Sequence, residues 1–161
     1  MHIFLDGNHI SYEIYFNNEK IYISFYDDTK EIYNYYSYSK TGCFIEDIAK
    51  NIKNTKLHYG DVFFIDDLIY FFGEEEGEKD YSSKIVVYSF DKKTKHITKN
   101  YIKNNKKYSV ADEIVFYNNQ WYFFCTVSNN SKKENQDIQV IITNDNFIVI
   151  DEKTFYEGNN I

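Results

Sequence analysis

Short apolar runs separated by polar pairs recur along the whole chain. Ile14-Tyr15-Phe16, Phe63-Phe64-Ile65 and Val115-Phe116-Tyr117 each lead into a polar dipeptide: Asn17-Asn18, Asp66-Asp67 and Asn118-Asn119. A second apolar run follows each one: Ile21-Tyr22-Ile23, Ile69-Tyr70-Phe71 and Trp121-Tyr122-Phe123. Strand, two-residue turn and strand predict a tight hairpin, because Asn and Asp tolerate the positive φ that such turns need. The three dipeptides lie 49 and 52 residues apart, which marks a repeat.

The second halves of the repeats agree. Ile32-Tyr33-Asn34-Tyr35, Ile85-Val86-Val87-Tyr88 and Ile138-Gln139-Val140-Ile141 start 53 residues apart each time. A polar turn follows each: Ser39-Lys40-Thr41-Gly42, Asp91-Lys92-Lys93-Thr94-Lys95 and Asn144-Asp145-Asn146. Shorter apolar runs then begin at Cys43, His96 and Phe147. Each unit therefore predicts four antiparallel strands, A to D, with tight A–B and C–D turns and a variable B–C loop. The units run over about 9–54, 55–106 and 107–155, within a single domain spanning 1–161. One stretch breaks the pattern: Phe44, Ile45, Ile48, Ala49 and Ile52 fall on one face at helical spacing, which predicts a short helix over about 45–53 covering a sheet edge.

Composition supports an all-β class. Aromatic residues make up 20% of the 161 residues, with 17 Tyr and 14 Phe, and there is no Pro. Strand-favouring residues dominate, while Leu and Ala, the best helix formers, are nearly absent. A helical bundle, a coiled coil and a large α/β enzyme are excluded. The formal net charge is −7, which argues against direct binding to nucleic-acid phosphates. No apolar run reaches the length of a membrane span, and Asp6 arrives too early for a signal peptide. Cys43 and Cys125 each sit in an apolar stretch and read as buried free thiols. The expected compartment is the cytoplasm.

The middle unit contains Leu68-Ile69-Tyr70-Phe71-Phe72-Gly73 and Val87-Tyr88-Ser89-Phe90-Asp91 with Thr94 beyond. These runs resemble a kelch-type β-propeller blade, with Glu74 in place of the family's second Gly and Ile97 in place of its fourth-strand Trp. The third unit, from Ala111-Asp112-Glu113 into Ile114-Val115-Phe116, resembles a blade of the five-bladed propeller glycosidases. That family carries Ala-Asp-Pro ahead of the first strand, and its Asp acts as a catalytic acid or base; Glu113 replaces the Pro here. The resemblance implies propeller-type sheets. Three blades cannot close a ring, since propellers use four to eight. Two chains could pair into a six-bladed homodimer, or the units could stack openly. A β-trefoil, or an irregular barrel or sandwich, is the alternative.

Candidate sites follow from charge. Glu74, Glu75, Glu76, Glu78 and Asp80, with Tyr81, fill the B–C loop that begins at Gly73 in the middle unit. From Lys92 to Ala111 there is no acid and there are seven lysines, among them Lys99, Lys103, Lys106 and Lys107. In a meander the B–C loop and the D–A connector emerge at one end, so these two groups form an expected bipolar contact surface for a protein partner. Asp61 and Asp112 hold matching positions ahead of strand A, and with Tyr35 and Tyr36 they define the alternative, a glycan site. The histidines lie in different units without metal-ligand spacing, and no phosphate loop or nucleophile elbow is present. No metal, cofactor or catalytic residue is expected. The leading expectation is a non-enzymatic protein-binding inhibitor or antagonist, of the anti-defence (anti-CRISPR) or toxin-immunity kind. A glycan-binding or glycosidase-derived propeller module is the alternative.

Overall fold

The computed structural model describes residues 9–16, 20–27, 32–41, 44–48, 62–76, 82–129 and 136–158. These form twelve strands. The first four are β1 (His9–Phe16), β2 (Lys20–Asp27), β3 (Ile32–Ser39) and β4 (Phe44–Asp47). Next come β5 (Val62–Ile65), β6 (Leu68–Glu76), β7 (Ser83–Asp91) and β8 (Ile97–Tyr101). The last four are β9 (Tyr108–Tyr117), β10 (Gln120–Ser128), β11 (Asp137–Asn144) and β12 (Val149–Tyr156). One sheet has the order β1-β2-β3-β4, and the other contains the remaining eight strands. Within the larger sheet, β5 to β8 and β9 to β12 are each antiparallel meanders, joined by one parallel bridge between Ser83 and Tyr108. Neither sheet closes on itself among the described residues, and a closed barrel or trefoil would require such closure.

Turn chemistry explains why each meander folds back where it does. Asp66 (φ 51°), Asn118 (φ 50°) and Asn119 (φ 58°) all adopt the left-handed backbone that the A–B hairpins need. Asn17-Asn18 lies outside the described residues. The two later C–D turns share one device. Asp91 Oδ1 accepts hydrogen bonds from the Lys93 and Thr94 backbone N–H groups at 2.7 and 2.9 Å. Asn144 Oδ1 accepts from those of Asn146 and Ile148, both at 3.0 Å. Each turn leaves through a left-handed residue, Lys95 or Phe147.

The meanders are held together by their faces. On β6 and β7, Ile69, Phe71, Val86, Tyr88 and Phe90 pack with Tyr22 and Ile48 of the first meander. The opposite face carries Tyr70, Phe72, Ile85 and Val87, which pack against Trp121, Phe123, Cys125, Ile141 and Phe147 of the third. β7 is thus covered on both sides, which is why Ile85-Val86-Val87-Tyr88 is a continuous apolar run without alternation.

Several expectations are corrected. Residues 45–47 of the expected helix belong to strand β4, which pairs with β3 through Tyr36↔Asp47, Ser37↔Glu46 and Tyr38↔Phe44. The free edge of β3 supplies backbone partners along the strand, and these outweigh the local helical spacing; residues 49–53 lie outside the described residues. Residues 73–76, expected to open the B–C loop, extend β6 and pair with β7 as far as Glu76↔Ser83. Asp112 is not ahead of a strand but within β9, at a register shift opposite Phe124 and Cys125. The last D strand starts at Val149 and not at Phe147, whose left-handed backbone ends the turn.

Candidate functional site

The charged end of the middle meander is built by register. Tyr88 of β7 pairs with Lys99 of β8, and Val86 pairs with Tyr101. Lys99 and Tyr101, two apart on a strand, therefore share a face. Lys99 Nζ donates to Glu75 Oε2 at 3.0 Å, and the Tyr101 hydroxyl donates to the same oxygen. The ammonium also lies 4.9 Å from the Tyr101 ring centre and 5.5 Å from that of Tyr88, both within cation–π range. The Tyr101 hydrogen bond, assisted by Lys99, holds the Glu75 carboxyl below its ordinary value of 4.5, against burial that acts the other way. Burial alone would lower the Lys99 pKa, but hydrogen bonds with Tyr101, Tyr88 and Glu75 raise it further than burial lowers it. Both groups stay ionised at neutral pH, so the cluster has the character of a fixed ion pair and not of a poised acid or base.

Beside this cluster runs a groove of about 580 Å³. Lys99, Asn100, Tyr101 and Lys103 contribute one wall, and Asn146, Phe147 and Ile148 of the β11–β12 turn contribute the other. Phe147 is buried in the core, whereas Ile148 is 62% exposed. By strand alternation Asn100 faces the third meander while Lys99 and Tyr101 face the first, so the groove offers Asn100 and Lys103 on one side and the apolar lip of Ile148 on the other.

The remaining basic residues are distributed more widely than their sequence clustering suggests. Lys95 Nζ reaches Glu46 of β4 at 2.8 Å, Lys93 pairs with Asp67, and Lys106 lies 3.5 Å from Asp137. Lys107 is exposed, and its carbonyl accepts a hydrogen bond from the Ser83 N–H at 3.2 Å. Glu74 and Glu75 stand on β6, and the Glu76 backbone ends that strand. Glu78, Asp80, Tyr81 and Asp61 lie outside the described residues, as does Cys43. Cys125 is free and buried. No family model and no curated protein matches the chain. Recognition of the site thus rests on its own geometry.

Of the alternative glycan residues, Asp112 and Tyr36 lie in different meanders. Asp112 is exposed and accepts a hydrogen bond from the Thr126 hydroxyl at 2.7 Å. Tyr36 lies half-buried in the first meander, packed with Ile21, Ile23 and Tyr38. The Tyr35 backbone is part of β3 and pairs with Ser24 of β2. Among the described residues no group of three His, Cys, Asp or Glu side chains converges as a metal site, and no helix is long and apolar enough to cross a membrane. Tyr101, Phe147 and Ile148 were not among the expected site residues. For Tyr101 a signal exists in the alternation Ile97-Thr98-Lys99-Asn100-Tyr101, which places it on the Lys99 face.

Proposed function

We propose that the chain is a non-catalytic module that binds a protein partner through the groove along β8. The carrying observation is the groove that sets Lys103 beside the exposed Ile148. Such a groove suits an extended segment bearing an acidic side chain next to an apolar one, with the charges setting orientation and the apolar contact adding affinity. Occupying a partner's acidic segment without acting on it is the behaviour of an inhibitor or antagonist, of the anti-defence (anti-CRISPR) or toxin-immunity kind. A buried free Cys125 fits the reducing environment of the cytoplasm. The three meanders are read as propeller-type blades. Support comes from their stacking: Tyr22 packs on the face of the middle meander that holds Ile69 and Phe71, and Tyr70 packs on the Trp121 and Phe123 face of the third.

An immobilised peptide array tests the reading. The wild-type chain retains peptides in which Asp or Glu adjoins Leu or Phe, with affinity falling as salt rises. Lys103→Glu weakens that retention about tenfold or more, the scale of a truncated charged contact. Unchanged retention by this variant sinks the groove assignment. A glycan array run in parallel separates the sugar-binding alternative: sugar retention abolished by Asp112→Asn favours that alternative instead.

A further inference from the structure

One face of the third meander packs on the middle one, and the opposite face is exposed along β9, β10 and β12, while Val140 of β11 is buried. Along β10, Trp121, Phe123, Cys125 and Val127 are buried, and the alternate residues point to the opposite side. There the register lines up Glu113, Phe124, Val140 and Lys153 as one row across β9, β10, β11 and β12. An acid ends the row on one side, a base ends it on the other, and two apolar residues lie between. Neighbouring positions keep the face apolar: Val115 is 41% exposed, Phe124 38% and Ile138 48%.

We infer that this face is a homodimer interface, in which a second copy packs face to face across a twofold axis parallel to the strands. Rotation about that axis, placed between β10 and β11, lays β9 of one copy over β12 of the other. Glu113 then meets the second copy's lysine, Phe124 lies over the second copy's β11, and each contact occurs twice. An axis across the strands would instead set Glu113 against its own symmetry mate, so charge selects the first arrangement. Four strands at about 4.8 Å spacing and eight residues at about 3.3 Å make a face of roughly 500 Å² per copy. The total of about 1,000 Å² reaches the size expected of a specific interface.

Sedimentation and light scattering on the full chain test this. The wild type is expected near twice 19.4 kDa at high concentration. Phe124→Glu, on an exposed strand position, is expected to run as a monomer with unchanged far-ultraviolet circular dichroism. Should that variant lose its fold, the charge exchange decides alone. Glu113→Lys and Lys153→Glu each bring like charges together and weaken the dimer about tenfold. Combined in one chain they restore opposite charges across the axis, so the double variant dimerises more tightly than either single one. Lys153 also lies 3.4 Å from Asp151, so recovery is judged against Lys153→Glu and not against the wild type. A chain that stays monomeric overturns the inference. So does a dimer indifferent to Phe124→Glu, or a double variant no tighter than the singles.

Discussion

Glu75 shows how a single side chain is fixed by two groups of one other strand. The Tyr101 hydroxyl and the Lys99 ammonium both donate to one of its oxygens, and the carboxyl titrates below its ordinary value of 4.5. A carboxyl whose folded-state pKa is depressed adds stability that is fully present above the unfolded-state pKa. That stability is lost as pH falls through the folded-state value. The side chain is 40% exposed, so screening keeps the contribution small at physiological salt. Tyr101→Phe removes the largest cause of the shift and leaves Lys99 in place. Carboxyl carbon chemical shifts followed through an acid titration are expected to show Glu75 protonating at higher pH in the variant, with the acid limb of the stability profile displaced the same way. A titration that stays where it is in the wild type would refute the assigned hydrogen bond. The meander topology read from the sequence places Glu75 and Lys99 at one end, but Tyr101 is not among the expected residues. The lysine-rich run is obvious, but its acceptors lie far away in the chain: Lys95 and Glu46 are separated by 49 residues, Lys106 and Asp137 by 31. Pairing at such range depends on how strands are laid beside one another, which no local pattern records.

Elements divide sharply by how much local chemistry specifies them. The β9–β10 hairpin turns through Asn118 and Asn119, both left-handed, and its strands pair without a break from Gln120↔Tyr117 to Phe124↔Glu113. Asn bears this backbone because its short polar side chain can bond locally; a β-branched residue cannot. Asn118→Val is expected to cost about 1–2 kcal/mol, the penalty of one left-handed L-residue. Asn119→Gly is expected to leave stability within about 0.5 kcal/mol, since Asn-Gly is the preferred pair for this turn. Urea denaturation of the two variants measures both. Equal losses would mean that the turn geometry does not govern the hairpin. Such turns could be read from the sequence because the dipeptide itself specifies them. Strand ends could not. β12 continues through Asp151, Glu152 and Lys153, all exposed, since an edge strand needs only one neighbour's hydrogen bonds and no alternation of apolar residues. The stretch after Phe44 illustrates the converse: apolar spacing suited a helix, yet the open edge of β3 drew residues 44–47 into the sheet.

At the scale of the molecule, the middle meander links the two ends of the stack. Backbone continuity between the second and third meanders is a single bridge at Ser83 and Tyr108. What joins them is the core in which Trp121 lies within 5.7 Å, centre to centre, of the rings of Phe63, Tyr70, Phe72, Phe116 and Phe147. The first meander is joined to the other face of the same strands through Tyr22, whose ring lies 4.6 Å from that of Phe64. Val86 and Val87 are adjacent in one strand and face opposite cores, both at 0% exposure. Loss of either core therefore uncovers half of β6 and β7 and undermines the packing of the other. Trp121, the chain's only tryptophan, reports on one core alone, which makes the coupling measurable. Denaturation followed by Trp121 fluorescence and by far-ultraviolet circular dichroism is expected to give coincident curves. Tyr22→Ala, made in the distant core, is expected to cost about 3 kcal/mol, as large-to-small core changes do. Its effect should appear in full in the Trp121 signal. If the fluorescence midpoint stays fixed while the circular dichroism curve splits into two steps, the first meander unfolds on its own and the stack is held together only in its second half.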